Sequence, residues 1–302
     1  MTGKKRVIAL GFFDGVHVGH AALLQKAIEI GGEKNLVPSV ITFDAHPLSL
    51  ISGSAIPLIN SPEDRAGLIR RIFGIDDIII LRFDSATAGM PWDVFIDHLL
   101  NEFGACYLVA GYDFRFGNGG KGNSKLLNLK CEKLGIGCDI IPEVRFRGVT
   151  VSSTYIRELI LGGDMERVYG FLGHQHALTD VVRYGYRLGR TLGTPTINMC
   201  FQDNVMVPAF GVYATKVHLE DGSAHSGVTN IGIRPTVGSS GQITAETHIL
   251  NYRGNLYGHQ VRIDFYKRLR QEQKFDDIGK LKAQIKEDCK AALDYFSDEK
   301  GL

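Results

Sequence analysis

Ten residues near the N-terminus constrain the fold more than any other stretch. Gly11-Phe12-Phe13-Asp14-Gly15-Val16-His17-Val18-Gly19-His20 follows an apolar run, Val7 to Leu10, and leads into an apolar, helix-like run, Ala21 to Ile30. That order predicts a buried strand, a glycine-rich turn and a helix N-terminus. Glycines let the backbone approach a ligand closely. A helix N-terminus presents unpaired N–H groups and the positive end of its dipole, which suit a phosphate. His17 and His20 can add donors to the same phosphate. No lysine follows, and the spacing is not that of a Walker A loop.

The next 150 residues repeat the strand–helix alternation. Strands are expected at Leu36–Phe43, Ile78–Phe83, Cys106–Ala110 and Cys138–Val144, with Val7–Phe13 as the first. Helices fall between them. One opens at Ser61, a plausible N-cap, with Pro62 in its first turn and Asp64 favouring its dipole. Another spans Pro91–Phe103, with Val94, Phe95, His98, Leu99 and Phe103 near one face. Near-continuous apolar strands alternating with helices indicate a parallel sheet covered on both faces. Such sheets bind ligands beyond the carboxyl ends of their strands, where the opening stretch lies. Short helices follow at Ser152–Gly163 and Asp164–Gly173.

Past Gly173 the pattern changes to short alternating strands with frequent glycine and proline. Glu220-Asp221-Gly222 between two strand runs is a hairpin signal. The expected architecture is an α/β domain with a Rossmann-like parallel sheet over residues 1–175 and a small antiparallel β-barrel over 176–302. A long helix closes the second domain, with Ile278, Leu281, Ile285, Cys289, Ala292, Leu293 and Phe296 as its apolar stripe. A formal charge of +1 across 302 residues gives no support to a broad nucleic-acid or membrane-binding surface. Five scattered cysteines without a C-x-x-C pair read as reduced thiols. No run approaches the length of a membrane span. A cytoplasmic location is therefore expected; oligomeric state is not legible.

Three further stretches carry chemistry. Val151-Ser152-Ser153-Thr154-Tyr155-Ile156-Arg157 places hydroxyls at a helix start and an arginine one turn on. Alone it is an N-cap; paired with the histidine stretch it becomes the second half of a triphosphate clamp. The pair fits nucleotidyl transfer, in which positioning and charge neutralisation do most of the work. Gly185 to Asn198 is rich in glycines and hydroxyls, including Gly189 and Gly193. In it, Thr196 and Asn198 face one side and offer hard oxygens suited to Mg²⁺ shared with phosphates; the alternative is a barrel turn and an edge strand. Glu246 is either a solvent-facing strand residue or the base of a kinase acting on an alcohol. His174-Gln175-His176 lacks a third metal ligand and reads as a polar linker patch.

Taken together, these motifs resemble the bacterial bifunctional riboflavin kinase/FMN adenylyltransferase (FAD synthetase) family. The first stretch and Ser-Ser-Thr-Tyr-Ile-Arg are similar to its adenylyltransferase half. So are Thr42-Phe43-Asp44-Ala45-His46-Pro47 and Gly111-Tyr112-Asp113-Phe114-Arg115-Phe116-Gly117. Gly189-Arg190-Thr191-Leu192-Gly193-Thr194-Pro195-Thr196-Ile197-Asn198, Asn230 to Thr236, Glu246-Thr247-His248 and Leu256-Tyr257-Gly258 are similar to its kinase half. The resemblance implies ATP-dependent phosphorylation of riboflavin to FMN, then adenylylation of FMN to FAD. It assigns His17 and His20 to catalysis, and Gly11, Phe13, Asp14, Gly19, Ser153, Thr154, Arg157, Gly189 and Gly193 to ATP. It assigns His46, Asp113, Phe114 and Arg115 to flavin or nucleotide, Thr196 and Asn198 to Mg²⁺ with ATP, and Glu246 to general base. Riboflavin, FMN and FAD are then substrates and products. Two departures, Ala45 for proline and Lys121 after Gly120 where arginine is common, leave open a kinase with a weak or altered adenylyl domain. A flavin-sensing or RNA-binding regulator that retains the fold is the rival from another class.

Overall fold

The computed structural model describes residues 4–47, 49, 56–185, 193–236 and 239–298. The chain divides into two compact units, Met1–Ser153 and Thr154–Leu302. In the first, strands β1 (Arg6–Leu10), β2 (Val37–Phe43), β3 (Asp77–Leu81), β4 (Ala105–Gly111) and β7 (Gly137–Ile141) form one parallel sheet ordered β3-β2-β1-β4-β7. Two small ribbons lie outside it: β5 (Arg115–Phe116) with β6 (Gly122–Asn123), and β8 (Arg145–Phe146) with β9 (Val149–Thr150).

Alternation along β1 builds a core on each face. Val7 and Ala9 point to one core with Leu24, Ala27, Leu68 and Ile69, from the helices Val18–Lys34 and Pro62–Phe73. Ile8 and Leu10 point to the other, with Phe95, Ile96, Leu99 and Leu127, from Trp92–Phe103 and Ser124–Leu134. Each of these valine, leucine, isoleucine and phenylalanine side chains contributes about 1.5–3 kcal/mol by leaving water. As expected, Ser61 caps the Pro62–Phe73 helix by accepting from the Asp64 amide at 3.1 Å. Val94, expected on the buried face, is instead 46% exposed.

The chain leaves β1 outward through β2 and β3, then returns to β4 on the opposite side of β1. This order reversal opens a crevice at the carboxyl ends of β1 and β4. Strand β1 stops at Leu10 rather than Phe13, because Phe13 (φ 55°) and Val16 (φ 43°) adopt left-handed backbone. For a β-branched residue such as Val16 that conformation is strained.

The second unit starts with helices Ser153–Gly162 and Met165–Leu172. A curled antiparallel sheet follows: β10 (His176–Val181), β11 (Thr196–Cys200), β12 (Gly211–His218), β13 (Ala224–Thr236), β14 (Ser239–Ile249) and β15 (Gln260–Arg270), ordered β10-β15-β12-β13-β14-β11. It is a half-barrel. Its edges meet at one bridge, where the Arg183 amide donates to the Asn198 carbonyl at 2.9 Å. The predicted β12–β13 hairpin forms, and Gly222 supplies the positive φ of 84° that its turn needs. The terminal helix, Ile278–Asp298, packs Ala292 and Phe296 on Val212, Ala214, Val228 and Leu250.

His176 is not part of a polar linker patch. It lies in β10, 1% exposed and stacked near Phe265, with both ring nitrogens unpartnered among the described residues. Burial, then the charge of His174, pushes its pKa down to about 4. The unfolded chain binds this proton near pH 6.5 and the folded chain only near 4. The neutral ring's stability is therefore fully present above pH 6.5 and is lost as pH falls toward 4, by up to about 3 kcal/mol. Thermal denaturation should show His176→Phe flattening that acid decline. An unchanged pH–stability curve would refute the assignment.

Candidate active sites

The first candidate site lies at the crevice. His17 is the N-cap of the Val18–Lys34 helix, an unusual cap residue. Its Nδ1 accepts from the His20 amide at 3.2 Å, which places the proton of the neutral ring on Nε2. The two imidazoles stack at 3.5 Å, nearly parallel, and His20 also leans on Phe13 at 5.1 Å. Gly19 is required there, since a Cβ would sit 3.1 Å from the His17 ring. Burial, then His17 and Arg65, holds the His20 pKa well below the usual histidine value, so its ring is neutral at physiological pH. Its Nδ1 is buried with no partner among the described residues.

Phe13 and Asp14 are buried at 0% and 1% exposure. The Asp14 carboxylate accepts from the Ile59 and Asn60 amides at 2.8 and 3.4 Å. Both side chains thus hold the turn's shape and leave backbone for a ligand. The Ser153 hydroxyl donates to the Asp14 carbonyl at 2.9 Å. Thr154 and Arg157 occupy the first turns of the same helix.

Two neighbouring strand ends complete the site. From β2, His46 meets the Phe12 ring edge-on at 4.9 Å. From β4, Gly111 leads into Asp113, Phe114 and Arg115. Phe114 and Arg115 line a cavity of about 650 Å³ with Phe43, Phe83, Phe95 and Phe116. Gly117 closes this loop against Trp92, where a Cβ would lie 2.5 Å from the Trp92 Cα. The histidine turn, His46 and the Phe114 loop therefore share one sheet edge.

The second candidate site is a cavity of about 230 Å³ between the half-barrel and the terminal helix. Register explains its lining. Asn198, Glu246, Asn230 and Val212 are direct cross-strand neighbours, and so are Thr196, His248 and Val228. Direct neighbours share a face, so both rows point the same way. Thr196, Glu246, Asn230 and His248 line the cavity, and Leu281, Ile285 and Phe275 cover it. Asn198 is 6% exposed, and its Oδ1 has no partner among the described residues. Gly185 lies so close that a Cβ there would sit 2.4 Å from the Asn198 Nδ2. Gly193 turns at φ 80° just before Thr194, while Gly189 lies outside the described residues.

Several contributors were given no role by the sequence. Thr42, the first residue of the Thr42-to-Pro47 motif, and Arg65, which lies in no motif, sit beneath the histidine turn. Arg270 and Asp288 pair through two contacts of 2.9 Å at the second cavity. The only signal for Arg65 is its spacing, four before Ile69 on the buried helix face. Asp288 lies three past Ile285, also in the cavity lining.

Known proteins align with both halves. Residues 1–155 match the FAD synthetase family, and residues 172–296 match the riboflavin kinase family. A bifunctional riboflavin kinase/FMN adenylyltransferase of Bacillus subtilis is 34% identical over 298 residues, covering 97% of this chain and 93% of its own. A protein of the same description from Escherichia coli K12 is 36% identical over 296 residues, covering 96% and 92%. A crystal structure described as a macrolide-efflux protein from Streptococcus pneumoniae superposes with a TM-score of 0.86 at 28% identity, over 97% of this chain and 95% of that one. Among the described residues no helix is long and apolar enough to cross a membrane.

Proposed function

The chain belongs to the bifunctional riboflavin kinase/FMN adenylyltransferase family, phosphorylating riboflavin to FMN with ATP and transferring AMP from ATP to FMN to give FAD, and from that premise we propose which residues carry each step. Residues 1–175 perform the adenylyl transfer and residues 176–302 the phosphorylation. The observation that supports the kinase assignment most is the cross-strand placement of Glu246 beside Asn198 in a row facing one cavity.

In the kinase half, Glu246 accepts the proton of the riboflavin 5′-hydroxyl as that oxygen attacks the γ-phosphorus of ATP, the bond to the β,γ-bridging oxygen breaks and ADP leaves. The apolar lining from Val212, Val228, Leu281 and Ile285 suits a flavin ring. Thr196 and Asn198 offer neutral oxygens, and the buried, unpartnered Asn198 Oδ1 fits a hard cation. Mg²⁺ held there together with substrate phosphates would neutralise phosphate charge. Gly189 and Gly193 belong to the loop that would wrap those phosphates.

In the adenylyl half, the FMN phosphate attacks the α-phosphorus of ATP and pyrophosphate leaves. His17 and His20 donate to the phosphates at the helix N-terminus, with backbone from Gly11 to Gly19 close beside them. Ser153, Thr154 and Arg157 hold the β- and γ-phosphates. Ser153 already donates its hydroxyl to Asp14, so it contributes through its amide. His46, Asp113, Phe114 and Arg115 contact flavin or adenine.

Incubation with riboflavin and Mg-ATP, followed by separation of the flavins, should show FMN and then FAD. Thr196→Val should raise the Mg²⁺ concentration for half-maximal FMN formation about tenfold or more, through loss of one oxygen donor. Its Mg²⁺ requirement for making FAD from FMN should not move. An unshifted Mg²⁺ titration for FMN formation would sink the Thr196 assignment.

A further inference from the structure

Arg65 is the largest fully buried side chain of the described residues, yet the roles above do not use it. It stands on the inner face of the Pro62–Phe73 helix beside Ala66, Leu68 and Ile69. One nitrogen, Nη1, donates to three oxygens: the Phe12 carbonyl at 2.8 Å, the Thr42 hydroxyl at 2.7 Å and the Phe43 carbonyl at 2.9 Å. The Thr42 hydroxyl itself donates to the Phe12 carbonyl at 2.8 Å. The guanidinium also lies 4.4 Å over the Phe12 ring, whose centroid is 4.9 Å from that of His46 in an edge-on contact.

We propose that Arg65 is a positioning residue for adenylyl transfer: it locks the start of the histidine turn to the end of β2 and holds a fixed positive charge beneath the phosphate site. This rests on the reading of that site given above. Two observations separate the role from ordinary core packing. No carboxylate lies within ion-pair distance of Arg65 among the described residues, although the fields of Asp14 and Glu63 reach it, and its Nε and Nη2 are buried without partners. A buried, unpaired charge is costly, and an apolar residue of similar volume would serve a purely structural site better. A cation retained there is explained by a polyanion above it. Burial pushes the guanidinium pKa down to about 10, so it stays charged at neutral pH.

The same charge acts on His20. The groups facing that ring are the stacked His17, the Phe13 ring and, through its field, Arg65. The nearby Asp14 carboxylate is turned to the Ile59 and Asn60 amides. Burial first, and then His17 and the Arg65 charge, disfavour protonation of His20, so it remains a neutral hydrogen-bond donor through the working pH range.

The test uses the full chain, with riboflavin phosphorylation as an internal control. Arg65→Met should lower kcat for making FAD from FMN and ATP at least about 30-fold, with KM for ATP changed less than about threefold. The acid limb of its pH–rate profile should move to higher pH, because His20 then protonates more easily. Arg65→Lys keeps the charge and can place one ammonium among the same three oxygens, so it should recover FAD formation to within about fivefold. FMN formation should stay within about twofold in both variants. A folded Arg65→Met protein with the wild-type kcat for FAD overturns the proposal. So does a slower one with an unmoved pH profile and no recovery by lysine, which would make Arg65 merely structural. Should Arg65→Met fail to fold, Thr42→Val removes only the shared hydroxyl. It should lower kcat for FAD about tenfold, and wild-type rates there overturn the proposal. His20→Ala separates the two levels. If that variant keeps forming FAD, the site reading fails; if it loses FAD while Arg65→Met keeps it, only this inference fails.

Discussion

Glu246→Gln should lower riboflavin phosphorylation by about 10³-fold while FMN supplied directly is still converted to FAD at the wild-type rate. Glutamine keeps the length and much of the hydrogen bonding of glutamate but cannot accept a proton at neutral pH. Glu246 stands between Asn198 and Asn230 in the sheet, so its backbone register is set on both sides and should survive the change. The loss should fall on kcat more than on KM for riboflavin, since the carboxylate acts as the hydroxyl is deprotonated. Rates of both reactions, measured from riboflavin and from FMN, check this. Near-normal FMN formation by the glutamine variant would remove Glu246 as the base.

His20→Ala should do the reverse, lowering FAD formation by about 10²–10³-fold and sparing FMN formation. The substitution keeps the backbone amide that donates to His17 Nδ1, so the helix cap is retained. What is lost is a neutral ring donor and the face on which His17 stacks. Removing a large ring at this half-buried position also loosens Phe13, so a modest fall in thermal midpoint should accompany the loss of rate. If the folded variant lost both activities, assigning the two reactions to separate halves would be wrong.

Much of this was legible because it depends on local pattern. Apolar runs broken by glycine and by capping residues such as Ser61 and Asp164 placed the parallel sheet and its helices. The Glu220-Asp221-Gly222 turn placed the β12–β13 hairpin. Register then did what spacing alone could not, setting Asn198 directly across from Glu246 although 47 residues lie between them in the sequence. What escaped were residues whose roles arise from tertiary contact. Arg65 sits among Asp64, Arg70 and Arg71 in a helix that reads as a charged surface, and only its pairing with three oxygens explains its burial. Asp14 is drawn away from ligand by the Ile59 and Asn60 amides, 45 residues on. Val94 follows the apolar periodicity of its helix, but no neighbour covers it fully. His176 resembled a linker residue because nothing local foretold its place in β10 against Phe265.

The seam of the half-barrel has a mechanical consequence. Its two free edges touch where the Arg183 amide reaches the Asn198 carbonyl, and Asn198 is also the residue proposed to hold the cation through its side chain. Backbone and side chain of one residue thus serve closure and ligation together. With Mg²⁺ held as proposed, breathing of the seam and release of the cation would become a single coordinate, since a bound cation would staple the edges and parted edges would withdraw an oxygen from it. Turnover in this half would then depend on the stiffness of that junction.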